Sequence, residues 1–379
     1  MTSNASTPVC PSLARRRVCA WLAGTPVLTA PSWVAAASAA RRFEPRPLAW
    51  REFELTTRVE VHSHEGPTRV WLPVPSIDSG YQQSLDSRWS GNASRVRLTS
   101  DAAYGARMLV AEFDAHVLRP TLELTSRVRT RDRATDWSRP TPARLDPAAQ
   151  RAWTQPTELM PTDGIVLETA REVTRGARTD VEKVRRLYEW VVRTTYREPQ
   201  VRGCGVGDIK SMLETGNFGG KCGDINALFV GLCRAIGVPA RDVYGIRLAP
   251  SAFGYRELGG NPANLNSAQH CRAEVFLREY GWVAMDPADV GKVMRLESAD
   301  WIKDPQHPLV APVYRGLFGG WEGNWLGFNM AHDVALPGSP GPRLGFFMYP
   351  QGEGPGGRFD PLDPDRFKYT ITAREIGAA

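Results

Sequence analysis

No two cysteines in this chain stand in a C-x-x-C pair and no two histidines in H-x-x-x-H, which argues against a structural zinc site. The G-x-x-x-x-G-K-[ST] order of a phosphate cradle is also missing, so the glycine-rich stretch 203–220 is not read as nucleotide-binding. Basic blocks are lacking as well. The formal net charge is +6, and setting aside Arg15, Arg16 and Arg17 lowers it by three to +3, spread along the chain, which gives no case for nucleic acid. Long unbroken apolar runs are absent: the one at residues 18–34 is interrupted by Gly24, Pro26 and Pro31 and makes a poor membrane span.

That interrupted run reads instead as part of an export leader over residues 1–39. A polar start and the Arg15-Arg16-Arg17 cluster precede it, and Ala37-Ser38-Ala39 offers small residues before a cut. Consecutive arginines ahead of a weakly apolar run suggest the twin-arginine route, while Val18-Cys19 in place of a bulky apolar pair leaves the general secretory route open. The expectation is a periplasmic or secreted mature protein with no membrane insertion. Cleavage would remove Cys10 and Cys19 and leave Cys204, Cys222, Cys233 and Cys271. With Cys233 on a core stripe and Cys222 wanted free, Cys204 with Cys271 is the one disulfide to consider.

The length suits about two domains. From Phe53 to Arg131 short alternating runs such as F-E-L-T-T-R-V-E-V, A-R-M-L-V-A-E-F and T-L-E-L-T-S-R-V-R-T are divided by Gly, Pro, Asn and Asp, the pattern of a small antiparallel β-sandwich. His62, His64 and His116 fall there and read as surface or edge residues. A polar stretch rich in Pro and Arg follows. Helical periodicity starts near Gly164, and Thr179 with Glu182 forms a capping box before a helix carrying Val184, Leu187, Tyr188, Val191 and Val192 on one face.

The chemistry concentrates at G-G-K-C-G-D-I-N-A-L-F-V-G-L-C-R-A-I-G-V-P-A-R, residues 219–241. Ile225, Leu228, Phe229, Leu232, Cys233 and Ile236 make an apolar helical stripe that Gly237 and Pro239 end. One turn back from Ile225, Cys222 falls at the helix N-terminus, where unpaired N–H groups and the macrodipole favour thiolate over thiol and could face an oxyanion. The plain alternative is a small buried hydrophobe.

Downstream, R-D-V-Y-G-I-R-L reads as a strand, and residues 250–268 as a loop long enough to be functional or mobile. Two further strands follow, H-C-R-A-E-V-F-L and W-V-A-M-D-P. Alternation sends Cys271, Ala273, Val275 and Leu277 to the core and His270, Arg272 and Glu274 to the other face. If Arg278-Glu279-Tyr280 is the connecting loop, Leu277 pairs with Gly281, and Asp286 falls opposite Arg272, diagonal to His270 on the same face. A Cys–His–Asp relay is then within reach, with Arg272 a competitor for the carboxylate. The plain readings are a surface histidine at 270 and a turn former before Pro287 at 286.

These motifs, C-G-D-I-N-A-L-F with L-C-R-A-I-G-V-P-A-R, then H-C-R-A-E-V-F-L, then G-W-V-A-M-D-P-A, resemble the transglutaminase-like superfamily over about residues 179–289. The resemblance implies an α+β, papain/transglutaminase-like core at 160–300, preceded by the β-sandwich-like domain at 50–135 and followed by a C-terminal extension at 301–379 that packs on the core. It carries the triad onto Cys222, His270 and Asp286, with Arg272 standing where the family commonly has an aromatic residue. Asn217 is a candidate second oxyanion donor, and His332-Asp333 in the extension reads as structural. The expected function is cysteine-dependent attack on an amide or isopeptide bond of a protein or peptide, with hydrolysis favoured over transfer to an amine and no metal or cofactor. The alternative is a non-catalytic peptide-binding or scaffold protein that keeps the fold.

Overall fold

This computed structural model describes residues 41–62 and 66–378; the expected leader and His64 lie outside them. Its centre is a four-stranded antiparallel sheet in the order Gly281–Met285, Gln269–Leu277, Ala240–Arg247, Trp325–Asn329. Leu277 pairs with Gly281 and Ala273 with Met285, so Arg278-Glu279-Tyr280 is indeed the connection; the pairing ends there, one step short of Arg272 and Asp286. On this sheet packs the helix Cys222–Ala235, which Ile236 caps and Gly237, at φ +79°, terminates.

The sequence suggests an amphipathic helix with one apolar stripe, but every residue from Cys222 to Arg234 is buried. The strands cover one side, and helices Gly164–Val173, Asp180–Thr194 and Pro287–Leu296 pack on the others. A helix enclosed on all sides can hold a thiol at its start in fixed geometry. The helix ahead of it is capped as expected by Thr179, whose Oγ1 accepts the Glu182 N–H at 3.1 Å. Glu182 reaches back one residue further than a capping box requires, to the Arg178 N–H at 2.6 Å.

Two more antiparallel sheets form the β-rich part. One runs Phe367–Ala378, Arg51–Val61, Thr121–Thr130, Gln82–Gly91; the other runs Gly357–Arg358, Gln351–Gly354, Thr68–Pro73, Arg107–Phe113, Arg95–Ser100. Alternate residues Phe53, Leu55 and Val59 of the first sheet and Leu109, Ala111 and Phe113 of the second enter one continuous core. The expected division at residue 301 does not follow the sheets, because the C-terminal segment supplies strands to all three of them. Trp325–Asn329 completes the central sheet, and Phe367–Ala378 pairs with Arg51–Val61 along its whole length. No helix among the described residues is long and apolar enough to cross a membrane.

Candidate active site

Cys222 opens its helix, and Asp224 shapes the entry. Asp224 Oδ2 accepts the Lys221 N–H at 2.9 Å, while Oδ1 accepts those of Val206 and Gly207 at 2.8 and 2.9 Å, which draws the preceding loop onto the helix start. Space for that carboxylate depends on Gly205, where φ is +88° and a Cβ would lie 1.8 Å from Asp224 Oδ2. In the first turn the Gly223 N–H donates to Cys204 O at 2.7 Å, and those of Asp224 and Ile225 donate to Lys221 O at 3.0 and 2.9 Å. Among the described residues no acceptor faces the Cys222 N–H, which leaves it for a ligand.

His270 reaches this point from the adjoining strand and is 3% exposed, so it is not a surface histidine. Its Nε2 lies 2.7 Å from Asp286 Oδ2 and 3.3 Å from Asp289 Oδ2. With Nε2 engaged there, Nδ1 is the nitrogen left for the Cys222 sulfur. The strand is fixed behind the ring, where Trp325 Nε1 donates to His270 O at 3.0 Å. Asp286 is also the N-cap of helix Pro287–Leu296, its Oδ1 accepting the Asp289 N–H at 3.0 Å. The turn-former reading and the relay reading of this residue therefore describe one group. Asn226, one turn beyond Cys222, donates from Nδ2 to Cys271 O at 2.8 Å and to Asp286 Oδ1 at 3.3 Å, tying the helix to both strands.

These contacts favour the charged form of each partner. The Cys222 thiol is held well below its ordinary value, first by hydrogen bonds from Cys204 and Cys271 and then, against burial, by the bond and charge of His270. Burial and Arg247 disfavour the charged imidazole, but the carboxylates of Asp289 and Asp286 outweigh them and raise His270 to about 9. Both directions favour a thiolate–imidazolium pair over a neutral thiol and a neutral imidazole. Cys204 has one S–H to give, and both Gln269 O, at 3.4 Å, and the Cys222 sulfur compete for it. Tyr349 Oη donates to Cys204 Sγ at 3.1 Å.

Arg272 does not displace His270. Its Nε stands 3.7 Å from Asp286 Oδ2, an ångström farther than the imidazole, because Nη1 donates to Glu322 O at 2.9 Å and the guanidinium lies over Trp325 and Trp321 at 4.6 and 5.2 Å. Arg247 Nη2 pairs with Asp289 Oδ1 at 2.5 Å. The ligand atoms of His270, Asp286 and Asp289 lie within 4.8 Å of one another, a set that alone would suit a divalent cation. Two guanidiniums and an imidazolium already more than offset the two carboxylates, and that donor set fits a relay better than a metal site.

Residues 167–287, which include Cys222, His270 and Asp286, match the family model of the transglutaminase-like superfamily. A Haemophilus influenzae protein without an assigned activity is 34% identical over 331 residues, covering 82% of this chain and 87% of its own. The chain belongs to the transglutaminase-like superfamily. Among solved structures, a candidate cysteine protease from Cytophaga hutchinsonii aligns at 15% identity and a TM-score of 0.48, covering 86% of this chain and 99% of that one. The periplasmic domain of TgpA from Pseudomonas aeruginosa aligns at 15% identity and a TM-score of 0.33, covering 68% and 96%.

In this transglutaminase-like chain the other expected residues lie as follows. Asn217 is exposed, its Oδ1 accepts the Gly219 N–H at 3.2 Å, and it does not line the cavity at Cys222, so the structure does not bring it to the oxyanion side. A local turn has taken its side chain. Cys204 and Cys271 are free thiols rather than a disulfide, both directed at the Cys222 sulfur. His332 is structural: buried, its Nδ1 is 3.1 Å from Tyr244 Oη, and burial holds its pKa well below the ordinary value. His62 and His116 are exposed. Sequence reasoning missed Asp289, Arg247 and Asn226. The first stands three residues after Asp286 at a helix start and the last four after Cys222, spacings that put each beside a residue already singled out.

Proposed function

We propose that this protein is an exported cysteine-dependent amidase or peptidase that cleaves a peptide or isopeptide bond through a thioester on Cys222. One observation carries the reading: a thiol at a helix start beside an imidazole whose far nitrogen is 2.7 Å from a buried carboxylate. The Cys222 thiolate attacks the amide carbonyl, and the oxyanion forms against the Cys222 N–H. His270 gives its proton to the leaving amine as the C–N bond breaks, and the thioester remains. Neutral His270 then takes a proton from water, which attacks the thioester, releases the acid and restores the ion pair. Asp286 keeps the imidazole oriented and stabilises its charged form throughout.

Hydrolysis is favoured over transfer to an amine because Arg197, Arg256 and Lys292 surround the cavity at Cys222 and repel an approaching ammonium group. Export rests on the leader reading of residues 1–39. Release of peptide fragments, followed beside incorporation of a labelled amine, tests the reading, and incorporation outpacing release contradicts it. The burial of Cys222, 3% exposed, favours the scaffold alternative. That alternative predicts that Cys222→Ala leaves function in cells unchanged, whereas the enzyme reading predicts its loss.

A further inference from the structure

A cavity of about 250 Å³ opens at the nucleophile, with Cys222, His270 and Gln269 in its walls and Arg197, Arg256 and Lys292 around them. The volume suits a residue or two rather than the ~300–1,000 Å³ of a drug-sized ligand. The site's charge is one-sided. Glu257 alone serves two of the cations, at 2.9 Å from Arg256 Nε and 3.3 Å from Lys292 Nζ. Among the described residues no carboxylate comes within ion-pair distance of Arg197, whose Nε is buried without a hydrogen-bond partner. Gln269 is 6% exposed, and neither its Nε2 nor its Oε1 has a partner.

Buried polar groups normally find partners inside the protein, and those that do not mark a place for a ligand. Burial and then the charge of Arg197 lower the Lys221 ammonium, and burial and then Arg247 lower that of Lys292, as expected where cations face one another with too little counter-charge. Resting on the amide-cleaving reading above, we propose that the substrate carries a carboxylate within one residue of the scissile amide. Arg197 binds that carboxylate, and the Gln269 carboxamide binds the adjoining peptide group. The carboxylate belongs either to an acidic side chain or to a free chain terminus.

The first test compares alkylation of Cys222 by anionic iodoacetate and neutral iodoacetamide near pH 7, read by mass on the Cys222 peptide with Cys222→Ala as blank. The expected rate ratio exceeds that of a free small-molecule thiol by about fivefold or more. It falls severalfold toward the free-thiol ratio in Arg197→Gln, stays high in Arg197→Lys, and in the unmutated protein declines from about 0.05 M to about 0.5 M salt. A ratio at or below the free-thiol value, or one indifferent to salt, overturns the proposal and leaves the nucleophile standing. Labelling by neither reagent overturns the parent reading instead. In the second test, peptides with Glu beside the cleaved bond and an amidated end are set against peptides with Gln there and a free terminus. Preference for the first assigns a side-chain carboxylate, and preference for the second a terminal one. Neither exceeding a fully neutral peptide overturns the proposal.

Discussion

Asp286 holds His270 with one oxygen, Oδ2 at 2.7 Å from Nε2, and caps its own helix with the other. The same turn presents Asp289 Oδ2 at 3.3 Å from the ring, so two carboxylates charge one imidazole. Asp286→Asn keeps the cap, whose acceptor is a carbonyl oxygen, but removes the charge and turns a donor toward the ring. The expected loss in kcat/KM is about 10²–10⁴-fold, with some loss of melting temperature because the buried His270 and Arg272 lose a charged partner. A large drop in melting temperature together with unaltered kcat/KM in the folded fraction would contradict this role.

Asp289→Asn acts differently. It leaves Arg247 buried opposite a neutral group, and breaking a buried ion pair by removing one partner costs about 3–5 kcal/mol. Denaturant unfolding checks this, and the loss of stability should exceed that of Asp286→Asn. His270 should also titrate lower in this variant, because a carboxylate that raises it is gone.

The raised His270 value sets a direction for pH. A group at about 9 in the folded protein against 6.5 ordinarily contributes stability that is complete below about 6.5 and is lost as pH climbs through about 9. Activity should follow the same limb, because an imidazole that has lost its proton cannot protonate the leaving amine. A kcat/KM profile is expected to fall above about pH 9. A fall centred near 6.5 would mean that the carboxylates do not act on the ring.

Much of this arrangement was legible in the sequence. Alternation along H-C-R-A-E-V-F-L and a three-residue turn were enough to fix the register as far as Ala273 against Met285 and so to bring Asp286 near His270 and Arg272, because side chains in a strand alternate with period two and a known loop length fixes the register. The stripe from Ile225 to Ile236 located Cys222 at a helix start for similar reasons. What escaped was non-local. Gln82–Gly91 is a polar, largely exposed strand with no alternation to read, and the C-terminal strands return to sheets begun some 300 residues earlier. The position of Arg272 lay beyond periodicity too, since Trp321, the Glu322 carbonyl and Trp325, which hold its guanidinium, come from a distant segment.

Gly205 makes the loop at the helix start sensitive to one methyl group. Gly205→Ala would drive a Cβ into Asp224 and force a positive φ on an alanine, detaching the Val206 and Gly207 N–H bonds from that carboxylate. A loss of about 1–3 kcal/mol in unfolding free energy and slower alkylation of Cys222 are expected. Gly216→Ala, also at positive φ but with nothing near its would-be Cβ, should leave alkylation unaffected.

The ionised Cys222–His270 pair is the claim on which the rest stands, and the pH dependence of Cys222 alkylation by iodoacetamide measures it. The rate should reach half its plateau well below the ~8.5 of a free thiol, and His270→Ala should move that midpoint upward. A midpoint at the free-thiol value, unmoved by the substitution, would contradict the account.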